Sequence, residues 1–570
     1  MKSVVAFIAI LVLSNSMMVR AEGESAGIEG TWSNPAQDRL PLIAITTTTP
    51  LNAQEKVAAH MKTEGYDGPI GIKLRGNSSL SFNQKKYTFE TRDAEGKELD
   101  VNLLGMPAHS KWVLLAPYND VSMLRDPLAF QLWRNMGHWG PRTVMCEVTV
   151  DGDYRGIYIL SEAIKRGADR VNISKLKKSD TQGRDVTGGY LLRIDTFDDN
   201  DATFTSKVPG IGEGNMTSEV IWSCIYPKKK KLQPEQLTYI QNYVDTVEQV
   251  IQSDYFADPQ TGYARYIDVP SFVDYFIHTE LSLNADGYKR SAYFYKEKLH
   301  ADGTGGKLVA GPVWDYNLAY GNCNFANANN LEAWCFEGAS NNPTPALWQR
   351  LLQDPAFRRA VKVRYQQLRQ SVLSLDSLCA YIDSQARLLA AAVDHHFQTY
   401  PELLVSEERK TQLAEQQKQM EEMQQQFEQM RQNTPGNGFP AMGGFPPMSG
   451  FPAMGDSLLT MGNGFPPMGG FPPMGRGFPQ AEFPPMGGFL AMGGFPQMDG
   501  GFQFDAVGMF AAYRVSSYDE EITILKQWIA ERLAFLDRNI DRFDSDWEPR
   551  IQPLVEKKMA FPMGGFPIGN

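Results

Sequence analysis

The sequence predicts an α+β fold interrupted by a low-complexity insertion. Three observations carry this. Apolar residues alternate with polar ones in short runs up to about residue 165. Helical spacing takes over between about residues 234 and 400. A Gly-Phe-Pro-x-Met-Gly unit then recurs to about Phe502, before helical spacing returns at Tyr518.

The elements follow in order. Residues 40–48 (LPLIAITTT) read as a strand, and 84–93 (QKKYTFETRD) as a second that turns at DAEGK. Residues 111–118 form an apolar strand. Residues 121–137 have helical spacing and end at Gly137; Pro127 fits only if the helix starts or bends near it. Two strand patterns around DGD make a hairpin of 143–162. Helices are expected at 234–253 and 270–284, a second hairpin at 291–299 and 306–314, and helices from Pro345 to Tyr400. Residues 406–433 are a polar, Gln- and Met-rich helix with coiled-coil character, and 513–548 a C-terminal helix packing on the main domain of 22–405.

Gly and Pro oppose both helix and sheet, so the repeat of 434–512 reads as disordered, as does the tail of 549–570. Its regular Phe and Met suit self-association, although an expanded spacer is the simpler account.

Composition narrows the function. The net charge is −11, which argues against nucleic-acid binding. Lys2, the apolar run Val4–Leu13 and the small residues near Ala21 read as a secretory signal of 1–21, so the protein is expected to be exported: periplasmic, cell-surface or secreted. No later stretch reads as a transmembrane anchor. The five cysteines form no CxxC pair, and no zinc motif occurs. Cys323 and Cys335 lie 12 residues apart and would be able to bridge in an exported protein.

Chemistry starts from loop carboxylates. Asp286 lies between a helix and a strand, and Asp315 follows the next strand pair 29 residues later. One carboxylate can accept or orient a hydroxyl proton, and another can hold Mg²⁺ against phosphate oxygens. Spacing alone favours turn-forming roles for both. The order of elements adds weight. A basic strand, a helix, two strands, further helices, a loop aspartate, a hairpin and a second aspartate succeed one another as in protein kinases. The G-x-G-x-x-G loop and the His-Arg-Asp sequence of those enzymes are absent.

Six stretches bring a family into view: IKLRGNSSLSFNQKKYTFE (72–90), WVLLAPYNDVSMLRDPLAFQLWRNMG (112–137), VDGDYRGIYILSEAI (150–164), GGYLLRID (188–195), DGYKRSAYFYK (286–296) and GPVWDYNLAYGN (311–322). Together they resemble the spore-coat protein H (CotH) kinase-like family over roughly residues 40–400 and 515–545. The resemblance implies an atypical protein-kinase-like, two-lobed fold that binds ATP with Mg²⁺ or Mn²⁺ and phosphorylates a protein hydroxyl, serine in some members. Other members are described as surface ligands or structural coat proteins. Matched by motif, Asp286 is the catalytic aspartate and Asp315 the metal-binding one. Lys85, Lys86 or Arg75 would face phosphate, and Glu162 stands at the hinge, near the adenine. Asn317 would join Asp315 at the metal, in place of a second acid found in many relatives; Ser291 replaces a metal-binding asparagine, and the helix of 121–137 offers Asp126 but no glutamate. The rival expectation is a non-catalytic surface or matrix protein on the same fold.

Overall fold

The computed structural model describes residues 39–198, 200–412 and 514–544, with positions 415, 418, 419 and 422. The alternating runs close into a barrel. Its strands are β1 (Leu42–Thr47), β2 (Val57–Thr63), β3 (Tyr66–Arg75), β4 (Lys86–Thr91), β7 (Lys111–Leu115), β8 (Thr143–Val150) and β9 (Asp153–Glu162). The order around the barrel is β1-β2-β3-β4-β7-β9-β8, and a parallel pairing of β1 with β8 completes the ring. Ile43, Ile45, Met61, Ile70, Ile72, Phe89, Trp112 and Val148 fill its centre, as the two-residue period of a strand requires. Asp151 and Gly152, both at positive φ (55° and 88°), make the tight turn between β8 and β9. A small hairpin, β5 (Val101–Leu103) with β6 (Met106–His109), precedes β7.

The first helix, α1 (Arg125–Asn135), begins late enough to put Pro127 in its first turn, where the missing N–H costs nothing. A five-stranded sheet follows in the order β11-β14-β10-β15-β16, with β10 (Tyr190–Ile194), β11 (Ala202–Thr205), β14 (Ile221–Tyr226), β15 (Ala292–Lys296) and β16 (Leu308–Ala310). A three-stranded sheet joins β12 (Gly210–Gly212), β13 (Met216–Ser218) and β17 (Thr344–Pro345). Helices α2 (Pro234–Gln252), α3 (Val269–Ser282), α4 (Ala346–Leu351), α5 (Pro355–Arg369) and α6 (Leu375–Thr399) surround a large apolar core. Within it α3 is buried along almost its whole length, so no polar stripe marks it in sequence.

The last helix, α7 (Tyr518–Ile540), belongs to the same compact unit and packs on α3, α5 and α6. Its Trp528 lies against Gly321, whose φ of +79° and lack of a Cβ both permit the approach. Two charged side chains of α7 are buried. Glu521 accepts from Arg125 Nη1 at 2.6 Å, and Arg532 donates to the Glu280, Leu331 and Ala333 carbonyls at 2.8, 2.5 and 2.7 Å.

The α+β class is thus observed. Strands β2, β3 and β10 to β14 were not individually expected, because Gly and Pro in YDGPIGIKLR and short polar strands in 202–218 blur the alternation. Cys323 and Cys335 are free thiols, not a bridge. No described helix is long and apolar enough to cross a membrane. The expected leader, most of the polar helix, the repeat and the tail lie outside the described residues.

Candidate functional site

Helix α3 ends at Leu283, which turns the chain left-handed at φ 46° and delivers Asn284 and Asp286. The next strand pair ends in the loop that carries Asp315, itself at φ 66°. A single carboxamide joins these loops. Asn284 Oδ1 accepts from Asp286 N at 3.2 Å, and Asn284 Nδ2 donates to the Asp315 carbonyl at 3.4 Å. Tyr320 N adds a bond to Ser282 O at 2.7 Å. The two aspartates are near enough for their charges to interact. Burial pushes the Asp286 carboxyl up to about 6, and Asp315 adds to the rise against the pull of Arg290. Asp286 Oδ1 is buried with no hydrogen-bond partner, and its nearest ion pair, to Arg290 Nε, spans 3.9 Å.

A third carboxylate arrives from α1. Asp126 Oδ1 accepts from Tyr316 N at 2.6 Å, which fixes it beside Asp315. Burial, and then the Asp315 charge, push Asp126 up to about 7, while Lys86 acts in the opposite sense. Asp126 makes no ion pair with a lysine among the described residues; its place is set by the packing of α1 under the Asp315 loop. His278 helps hold this packing. Its ring bonds Ala129 O at 2.9 Å and Tyr316 Oη at 3.2 Å, and burial keeps it neutral, down at about 4.

The basic residues sort themselves by strand geometry. Arg75 and Lys86 are cross-strand partners of β3 and β4, so they share a face. Arg75 stacks 5.0 Å from the Trp314 ring, next to Asp315. Lys85 precedes β4 and turns away to bond Leu80 O at 2.7 Å. Lys289, three residues after Asp286, adds a cation that sequence reading did not single out. Burial lowers it to about 8.

Two expected residues make further contacts. The Glu162 carboxylate is fully buried and held by Arg142, at 3.0 Å to Nε and 2.9 Å to its backbone N, and by Arg170. Its main chain is engaged too, the N–H donating to Arg142 O at 3.1 Å and the carbonyl accepting from Ser161 Oγ at 3.2 Å. Asn317 Nδ2 donates to Asn119 Oδ1 at 2.7 Å, within a buried network completed by Asn322. The acid that stands by Asp315 is Asp126, not a residue two positions on. Ser291, at φ 50°, points its hydroxyl at Asp195 Oδ2, 3.5 Å away.

The family model for CotH kinase protein matches residues 72–433, more than half of the chain. The chain belongs to the CotH family. Inner spore coat protein H of Bacillus subtilis (strain 168) is 21% identical over 326 residues, 56% of this chain and 77% of that protein. The CotH match begins inside β3 and ends before α7. Strands β1 and β2 and helix α7 are therefore integral to this CotH domain yet fall outside the matched segment.

Among the described residues no three His, Cys, Asp or Glu side chains form a metal cage. The Asp126–Asp315 pair still suits a hard cation. Mg²⁺ takes one or two carboxylates and completes its shell with water and phosphate oxygens. The mutual repulsion of Asp126 and Asp315, with Lys86 acting on Asp126, and a buried Asp286 oxygen without a donor fit such a ligand.

The electrostatics give a test. An acid whose folded pKa is raised binds its proton more tightly when folded, so its ionisation weakens the fold as pH rises through the folded value. The metal-free Asp126→Asn variant keeps an acceptor for Tyr316 N and removes the repulsion. At pH 8 it is expected to be more stable than wild type by on the order of 2 kcal/mol, and at pH 4 by almost nothing. Urea melts at the two pH values measure this, and an equal gain at both would contradict it.

Proposed function

We propose that this CotH chain is an atypical kinase that transfers the γ-phosphate of ATP to a hydroxyl of a protein acceptor. The observation that carries the reading is the convergence of Asp286, Asp315 and Asp126 with Arg75, Lys86 and Lys289 from two loops joined by Asn284, helix α1 and the β3–β4 strand pair. In this reading the barrel and the helical part are the two lobes of a kinase-like fold. Asp286 accepts the hydrogen bond of the acceptor hydroxyl and takes its proton as the oxygen–phosphorus bond forms. The bond from the γ-phosphorus to the bridging oxygen breaks, and ADP leaves. Arg75, Lys86 and Lys289 offset charge on the phosphate oxygens. Asp315 and Asp126 would hold Mg²⁺ or Mn²⁺, which would neutralise charge on the phosphates.

The experiment is a thermal shift with ATP and Mg²⁺ or Mn²⁺. A ligand at 100 times its dissociation constant stabilises by about 2.7 kcal/mol. The expected shift needs both ATP and metal and is lost in Asp315→Ala. The name of the Bacillus relative, an inner spore coat protein, supports a location outside the cytoplasm and a second reading as a non-catalytic coat or surface protein. No shift with any ATP–metal pair would leave that second reading.

A further inference from the structure

A cavity lies between α2 and the five-stranded sheet, and phosphate transfer does not use it. Helix α2 supplies one wall. Val244, Val247, Glu248 and Gln252 follow one another at spacings of three and four, so they share a face of the helix. Trp222 of β14 and Leu308 of β16 line the cavity from the sheet, and Ala346 lines it from the start of α4. Partly exposed Val208 completes the set used below. None of the acids or cations named in the transfer reaction belongs to this lining.

The lining is apolar except at Glu248 and Gln252, and each of these carries a buried atom without a hydrogen-bond partner among the described residues. Glu248 is only 9% exposed. Its Oε1 accepts from Ser206 Oγ at 2.7 Å and from Trp222 Nε1 at 3.2 Å. Its Oε2 is the unpaired acceptor, and Gln252 Nε2, one helical turn on, is an unpaired donor. Burial pushes the Glu248 carboxyl up to about 7, against the hydrogen bonds of Ser206 and Trp222. Leaving such groups unmet costs about 1–3 kcal/mol each, so two of them beside one cavity call for a shared partner.

We propose that this cavity is a binding site for a short aliphatic alcohol, whose hydroxyl donates to Glu248 Oε2 and accepts from Gln252 Nε2. A hydroxyl is the small group that both donates and accepts through one atom. An ammonium donates only and would leave Gln252 Nε2 unmet; an ether accepts only and would leave Glu248 Oε2 unmet. The apolar wall of Val244, Val247, Trp222 and Leu308 suits the alkyl part, in the usual pattern of an apolar site oriented by a few polar groups. Size sets the length. The cavity measures about 20 Å³, more than the roughly 10–15 Å³ that a single water needs, and too little for a long chain. The inference stands apart from the transfer reading.

The test follows 1-butanol by saturation-transfer NMR with the full chain at pH 8.5, where the Glu248 carboxyl is ionised. Methyl propyl ether, an isomer that cannot donate, is the comparator. The alcohol is expected to give a saturable signal and to bind at least about tenfold more tightly than the ether. Val208→Trp fills the cavity from its partly exposed side and should abolish the signal. Gln252→Leu removes the donor and should weaken butanol at least about threefold. Far-UV circular dichroism checks that both variants fold; should the tryptophan variant not fold, Gln252→Leu, at a partly exposed position, still decides. No saturable signal from wild type would mean that the cavity takes water only and overturns the inference. Equal binding of the two isomers overturns it by reducing the cavity to an apolar hole. A folded Val208→Trp that keeps the signal places the alcohol elsewhere, and Gln252→Leu that binds butanol as wild type does removes the donor from the site; either result overturns it too.

Discussion

Asp286→Ala and Asp315→Ala are each expected to lower metal-dependent phosphate transfer by about a thousandfold or more, and for different reasons. Asp286 has a buried carboxylate oxygen that no donor occupies, so its loss removes the group that takes the acceptor proton. Asp315 sits opposite Asp126, so its loss leaves one carboxylate where a divalent cation needs oxygen ligands. The two variants should therefore part company in binding. Asp286→Ala keeps the ATP–metal thermal shift, and Asp315→Ala loses it. Neither should unfold the protein, because Asp286 is held at a cost by burial and Asp315 contributes its backbone, not its side chain, to the Asn284 bond. Labelled ATP with Mn²⁺ or Mg²⁺ and a serine-containing acceptor measures the effect. Labelling by either variant at the wild-type rate would remove that residue from the mechanism.

Arg532→Ala is expected to destabilise the domain by about 3–5 kcal/mol. The guanidinium is fully buried and donates to three backbone carbonyls, and its partner Glu280 is equally inaccessible. Glu280 in turn accepts from Cys335 N, Phe336 N and Tyr288 Oη, all at 2.9 Å. Alanine would strand a buried carboxylate and three carbonyls at once. The matched control is Lys526→Ala on the same helix. Its 2.8 Å pair with Asp383 is partly exposed and should be worth at most about 1 kcal/mol. Urea unfolding of both variants decides the matter. If the arginine variant loses no more than the lysine variant, α7 is a peripheral strap and not part of the core.

These two cases mark what a sequence can disclose. Helix α7 was legible from its helical periodicity alone. That Arg532 would be buried was not, since its partner lies 252 residues away. The same holds at the site. Asp286 and Asp315 were legible because each ends a local element in a family-like order. Asp126 read only as the acid that the helix of 121–137 offers in place of a glutamate, because its neighbour in space, Tyr316, is 190 residues distant. The choice between Lys85 and Lys86 needed the register of β4 against β3, which no single strand reveals. Glu162 was placed correctly at the end of its strand, but its arginine partners belong to the packing. Asn317 gives its Nδ2 to Asn119 Oδ1, a contact across 198 residues that the sequence does not show.

One feature of the domain bears on how its unusual middle came to be tolerated. Val405 N bonds Val515 O at 3.0 Å, and Arg514 Nη2 bonds Glu402 O at 2.7 Å. The chain thus leaves and re-enters through the same doorway. Whatever runs between these points has no distance to span. For a flexible segment with adjoining ends, doubling the length costs only about 0.6 kcal/mol. The folded domain therefore sets no length that the residues between 405 and 515 must reach.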